Sequence, residues 1–132
     1  MPETEARAFW KPRLCNRPAP GPIESIWIPD DGTIRRLERA LGPALRNAIQ
    51  VSTIAQVKPD AGDFYRQYAG FLVGGQRIVY INGLHAKTVN LGGRPTPWKT
   101  QAALTCDGGM LFFGAEFSLN TGAIEKIIFN GG

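Results

Sequence analysis

One histidine, two cysteines and two methionines are spread through 132 residues. A zinc centre needs three or four His, Cys or carboxylate ligands converging on one point, so this inventory speaks against a metal site. Asp30-Asp31-Gly32 opens like a calcium loop but lacks the twelve-residue ligand pattern and its closing Glu. Gly74-Gly75, Gly92-Gly93 and Gly108-Gly109 stand outside the frames G-x-x-x-x-G-K-S/T and G-x-G-x-x-G. They read as turns and bulges rather than a phosphate cradle. No G-x-S-x-G nucleophile elbow and no H-E-x-x-H pair occurs. No cofactor is implied. No apolar run approaches the ~18 residues that a membrane-spanning helix needs.

The chain is 43% hydrophobic and 20% charged, which suits one domain with a small core and argues against a fully disordered chain. Sixteen glycines and ten prolines suggest many turns and loops. Fifteen Lys and Arg against eleven Asp and Glu leave a net charge of +4. The positives are spread out: Lys11, Arg13 and Arg17 near the start, then Arg35, Arg36, Arg39 and Arg46. Solubility explains most of that charge. Nucleic-acid modules usually concentrate more charge on one face, which speaks against a nucleic-acid partner. A weak nucleic-acid binder through a basic helix face carrying Arg35, Arg39 and Arg46 is a less favoured alternative. Met1-Pro2-Glu3-Thr4-Glu5-Ala6 has neither the basic start nor the apolar stretch of a signal peptide. The chain is therefore either cytosolic or a mature form with a leader removed and Met1 added.

Residues 1–24 hold five of the ten prolines and read as an extended segment ahead of a single domain, 25–132. Ser25–Pro29 alternates briefly, as a short edge strand or an anchoring segment would. Asp31 or Thr33 can cap a helix there. Ile34, Leu37, Leu41, Leu45 and Ile49 then form one apolar stripe. Gly42-Pro43 interrupts the stripe and predicts a kink or a split. From Gly62 the period changes to two. Phe64–Val73 and Gln76–Leu84 predict one hairpin around the turn Gly74-Gly75. Ile78, Tyr80 and Leu84 take one face, Val79 and Ile81 the other. Strand signal returns at Ala102–Cys106, an Asp107-Gly108-Gly109 bulge follows, and Met110–Ser118 pairs with Ala123–Phe129 in a second hairpin. In that last strand Ile124 and Ile128 share a face, and Ile127 and Phe129 the other. The fold class is α+β: one kinked N-terminal helix on one face of a four-stranded antiparallel sheet of two hairpins.

Cys106 with His85 is the one thiol–imidazole combination available, and Asp107 beside Cys106 works against a reactive thiolate. Glu116 stands in an apolar strand, either paired with Arg66 or Arg77 or acting as an acid without an evident second carboxylate. A small enzyme using Cys106 and His85, or Glu116, is thus a second functional class, less favoured than a binding protein. Cys15 and Cys106 are compatible with one long-range disulfide or with two buried thiols. The features best suited to binding are the Gly74-Gly75 tip and the loop containing Arg94, Pro97 and Trp98. Trp98 there would be a rigid aromatic anchor if exposed.

The helix-then-two-hairpins order resembles the cystatin-like fold, in which hairpin loops form a wedge that blocks cysteine proteases. Pro97-Trp98 is similar to the Pro-Trp pair of a cystatin's second hairpin but lies between the two hairpins here. The first tip reads Val73-Gly74-Gly75-Gln76 rather than Q-x-V-x-G. This is a likeness of topology. A second likeness, over roughly residues 20–132, rests on Tyr65-Arg66-Gln67-Tyr68-Ala69-Gly70, Tyr80-Ile81-Asn82-Gly83, Cys106-Asp107-Gly108-Gly109, Phe113-Gly114-Ala115-Glu116-Phe117 and Phe129-Asn130-Gly131. In these stretches the chain resembles small exported bacterial proteins of unknown function. That resemblance implies a periplasmic or lipid-anchored setting with the leader removed, and a Cys15–Cys106 disulfide. The resulting expectation is a non-catalytic binding domain of the bacterial cell envelope, an inhibitor or partner-binding protein acting through hairpin loops. Its partner would be a protein, and it would be a monomer or a dimer through a sheet edge.

Overall fold

The computed structural model describes residues 13–14, 17–18, 22–52, 58–88 and 109–130. Two short strands, β1 (Arg13–Leu14) and β2 (Arg17–Pro18), pair antiparallel near the start. Next come β3 (Ser25–Trp27) and helix α1 (Asp31–Val51). Four strands complete the main sheet: β4 (Phe64–Val73), β5 (Gln76–His85), β6 (Phe112–Ser118) and β7 (Ala123–Phe129). Its order is β3-β4-β5-β6-β7, antiparallel throughout. The expected four strands are therefore five. Ser25–Trp27 is a true edge strand, because its alternation places Trp27 beside Gly70, where the missing side chain leaves room for the indole.

Helix α1 is capped by Asp30 rather than by Asp31 or Thr33: the Asp30 carboxylate accepts the Thr33 N–H at 2.7 Å. It then runs unbroken to Val51 with Pro43 inside it, rather than splitting in two. Gly and Pro in a helix interior cost about 1 and about 3 kcal/mol relative to Ala. Burial of the opposite face offsets this. Leu37, Leu41, Leu45 and Ile49 are buried against the sheet, each contributing about 1.5–3 kcal/mol. Pro43 lies on the exposed side, where the carbonyl it deprives of an intrahelical donor is turned towards water. No helix among the described residues is long and apolar enough to cross a membrane.

The helix-facing side of the sheet carries Phe64, Val79, Ile81, Phe113, Ala115, Phe117 and Phe129, joined by Ala61 and Met110. The opposite side is also buried in part, where Ala69, Phe71, Ile78 and Tyr80 pack with Ile23, Ile26 and Val73. The two faces of β5 divide as the sequence predicts, with Val79 and Ile81 towards the helix and Ile78, Tyr80 and Leu84 away from it. Burial on both faces explains its nearly continuous apolar run. In β7 the expected faces hold for Ile127 and Phe129, both on the helix side, but fail at Ile124. Ala115 pairs with Ile127 but Glu116 pairs with Glu125, so Lys126 is an extra residue, a bulge, with φ of 58°. An inserted residue reverses the alternation beyond it. Ile124 therefore joins Ile127 on the helix side instead of sharing a face with Ile128.

Candidate functional site

Both main hairpins turn at the same end of the sheet, because Ile78 near the start of β5 pairs with Ser118 at the close of β6. The first turn is Gly74-Gly75, with φ of 56° and 76°. Two successive left-handed residues are what a two-residue hairpin turn demands, and glycine adopts them without penalty. A Cβ at either glycine would meet nothing within 4 Å, so this tip is bare backbone standing in open space. It is nonetheless held. The Gly75 N–H donates to Glu24 Oε1 at 2.9 Å, and the Glu24 N–H donates to the Leu72 carbonyl at 2.7 Å.

The second turn, residues 119–122, is braced from within and from the helix. Gly122 N–H donates to the Ser118 carbonyl at 2.8 Å, and Thr121 N–H to Ser118 Oγ at 3.3 Å. Arg36 reaches over from α1, with its guanidinium 5.7 Å from the centre of the Phe117 ring and one N–H donated to the Leu119 carbonyl at 3.4 Å. Arg77 joins the two turns. Its carbonyl accepts the Leu119 N–H at 3.2 Å, and its guanidinium lies 5.5 Å from the Trp27 ring centre. Trp27 in turn donates its indole N–H to the Phe71 carbonyl at 3.1 Å. Glu24, Gly74, Gly75, Arg77 and the second turn thus form one braced edge. Sequence reading finds the glycines but misses Glu24 and Arg77, whose roles depend on β3 pairing with β4.

Of the residues considered for catalysis, His85 and Glu116 are among the described residues, and they lie on opposite faces of the sheet. His85 is on the helix side of β5, paired with Phe64, and Glu116 is on the opposite side of β6, paired with Tyr80. The buried His85 ring meets Phe64 edge-on, with centroids 5.3 Å apart. Its Nδ1 accepts the Lys87 N–H at 3.1 Å, which leaves the ring hydrogen on Nε2, 3.8 Å from Asp63 Oδ2. Both nitrogens are thus turned to structural neighbours. Glu116 pairs with neither Arg66 nor Arg77. Its neighbour is Lys126, at 3.8 Å, brought there by the bulge. Burial raises the Glu116 carboxyl above its ordinary range, and Lys126 opposes that shift.

Arg66 serves a different cluster, under the helix. The Tyr68 hydroxyl donates to Glu38 Oε2 at 2.7 Å, and Arg66 Nε lies 3.5 Å from Glu38 Oε1. Burial and the neighbouring carboxylate hold the Tyr68 phenol above the ordinary tyrosine range. On the other face, the buried pair Asn82 and Gln67 is joined by a 2.9 Å bond from Nδ2 to Oε1. No group of three or more His, Cys, Asp or Glu suited to a metal is assembled among the described residues.

Cys15, Cys106, Arg94, Pro97 and Trp98 lie outside the described residues, as does the expected strand Ala102–Cys106. Of the expected binding residues the structure places Gly74 and Gly75, both exposed. No protein-family model matches the chain, and neither a curated protein nor a solved structure is significantly similar to it.

Proposed function

We propose that the chain is a non-catalytic binding domain of the bacterial cell envelope that engages a partner protein with the end of the sheet where its two hairpin turns lie. The observation that carries this reading is the build of the Gly74-Gly75 tip. It is free of side chains and open to solvent, yet pinned by Glu24 and joined through Arg77 to the second turn. A preformed tip loses little conformational freedom on docking, and bare backbone can approach a partner's cleft closely. Insertion of this edge into an enzyme's cleft is the concrete form of the proposal. Strand, helix and four antiparallel strands follow one another with both turns at one end of the sheet, which supports docking through that end. Arg94, Pro97 and Trp98, the second binding feature expected from the sequence, lie outside the described residues.

Gly74→Asn tests the reading cleanly. Asn tolerates positive φ and is favoured at the first position of such turns, so the hairpin survives while the tip gains a side chain. Wild-type protein, Gly74→Asn and the distant Lys87→Ala are immobilised and challenged with a bacterial envelope extract. A protein retained by wild type and Lys87→Ala but lost with Gly74→Asn is the expected result. Identical retention by all three, or none by any, overturns the assignment of the tip. Trp98→Ala with unchanged affinity for the retained protein would remove the aromatic anchor expected at that position.

A further inference from the structure

Among the described residues, the arginines of the helix and the main sheet divide into two groups. Arg36, Arg66 and Arg77 are tied to Leu119 and Phe117, to Glu38, and to Trp27. Arg35, Arg39 and Arg46 are exposed on α1. Among the described residues Arg39 and Arg46 meet no acidic group, and Arg35 neighbours only Asp30. At 3.6 residues per turn these three fall within about 40° of one another around the helix, spaced about 6 Å and about 10 Å along it. They form a line away from the buried stripe Leu37, Leu41, Leu45 and Ile49.

Two further features lie along that line. Gly42 stands between Arg39 and Arg46, and a Cβ there would be 3.5 Å from the Arg46 guanidinium. The helix surface is thus low beside that cation. At the end of the line lies an open hollow of about 320 Å³, lined by the cations Arg46 and Lys58, the carboxylate Asp60, Gln50 and the apolar Ile49, Pro59 and Ala61. The Lys58 ammonium donates to the Gln50 carbonyl, which holds it at the rim.

We infer that this line is a binding track for the backbone of a single-stranded nucleic acid, independent of the hairpin end. Guanidinium groups match phosphate oxygens in a bidentate fork, and all three exposed cations of the helix line are arginine. The track is about 16 Å long, the length of about five stacked nucleotides at 3.4 Å each. Apolar floor beside two cations suits a base next to its phosphate, which an acidic peptide would leave unused. A bilayer surface fits less well, because the apolar face that a membrane-surface helix inserts is here committed to the sheet.

The test is fluorescence anisotropy with a labelled twenty-nucleotide oligothymidylate between 50 and 200 mM KCl. Three phosphate contacts give a slope of log K against log salt of about −2, a weakening of about 20-fold over that range. Arg39→Ala and Arg46→Ala should each lower affinity and reduce the slope by about 0.7, whereas Lys87→Ala changes neither. Arg39 and Arg46 are exposed, so circular dichroism melts should match wild type and exclude unfolding as the cause. Absence of binding at 50 mM KCl overturns the inference. So does binding whose slope the two arginine variants leave unchanged. Tighter binding to a duplex, to phosphatidylglycerol vesicles or to polyglutamate than to the single strand would overturn the choice of ligand.

Discussion

The ring of Phe113 lies directly across Gly83, its partner on the neighbouring strand, so that a Cβ on Gly83 would sit 1.9 Å from the ring edge. Phe113 is fully buried between Phe64 and Phe129, with edge-to-face centroid distances of 5.3 and 6.3 Å. It has no room to withdraw. Gly83→Ala should destabilise the protein by about 3 kcal/mol, the upper range for overpacking a well-filled core. Urea denaturation measures this. Gly83→Ala with Phe113→Leu should cost less than the sum of the two single changes, because the smaller side chain vacates the contested space. Strict additivity would contradict the account.

Tyr68 and Glu38 bind β4 to the helix through a single short hydrogen bond. Tyr68→Phe removes the donor and leaves a partly buried carboxylate with Arg66 alone. A bond to a charged acceptor of this kind is worth about 1.5–3 kcal/mol, so the urea midpoint should fall accordingly with no change in slope. Glu38→Gln should cost less in the Tyr68→Phe background than in wild type. Equal costs would show that the two side chains act independently.

Glu116 makes stability depend on pH in the opposite sense to a salt-bridged acid. Burial raises its folded pKa, so the folded state binds the proton more tightly than the unfolded chain. The carboxyl therefore favours the fold at pH below its unfolded value and loses that contribution as pH rises through the folded one. Glu116→Gln should stabilise the protein at neutral pH and give no gain near about pH 4. The gain should stay under about 1 kcal/mol, since the group is partly exposed and Lys126 lies nearby. Chemical melts of both proteins at the two pH values decide this, and the same difference at each would contradict it.

Gly74→Asn should leave stability unchanged or raise it by up to about 1 kcal/mol, since Asn restricts the unfolded chain while tolerating the turn's left-handed backbone. Gly74→Val should lower it, because a β-branched side chain cannot take φ of 56° without strain. Thermal melts of the pair check that the tip is a true two-residue turn.

Features set by local alternation were legible in the sequence. The helix stripe, Phe64–Val73, the Gly74-Gly75 turn, the faces of β5 and Ala123–Phe129 all follow from spacing and turn chemistry within a few residues. What escaped depends on distant partners. Lys126 carries no glycine to announce a bulge, so the reversal at Ile124 shows only in the register against β6. The alternation of Ser25–Pro29 leaves an edge strand and an anchoring segment both open, and the pairing of Trp27 with Gly70 decides for the strand. The helix survives Gly42-Pro43 because four buried side chains outweigh local propensity. At the candidate site the glycine tip was visible, but its brace was not. Glu24 falls within a proline-rich stretch, and nothing local links it to residue 75.

Outermost strands are where sheets recruit other chains, since one row of their N–H and C=O groups is left unpaired. In β7 that row is broken at Lys126, where the bulge throws the ladder out of step and adds a charged side chain. The opposite border, β3, is only three residues long. A second molecule aligning along either border finds no long, regular template. The fold thus carries a barrier to edge-to-edge sheet growth, and removal of the extra residue in β7 would restore an unbroken six-residue border on which copies could polymerise.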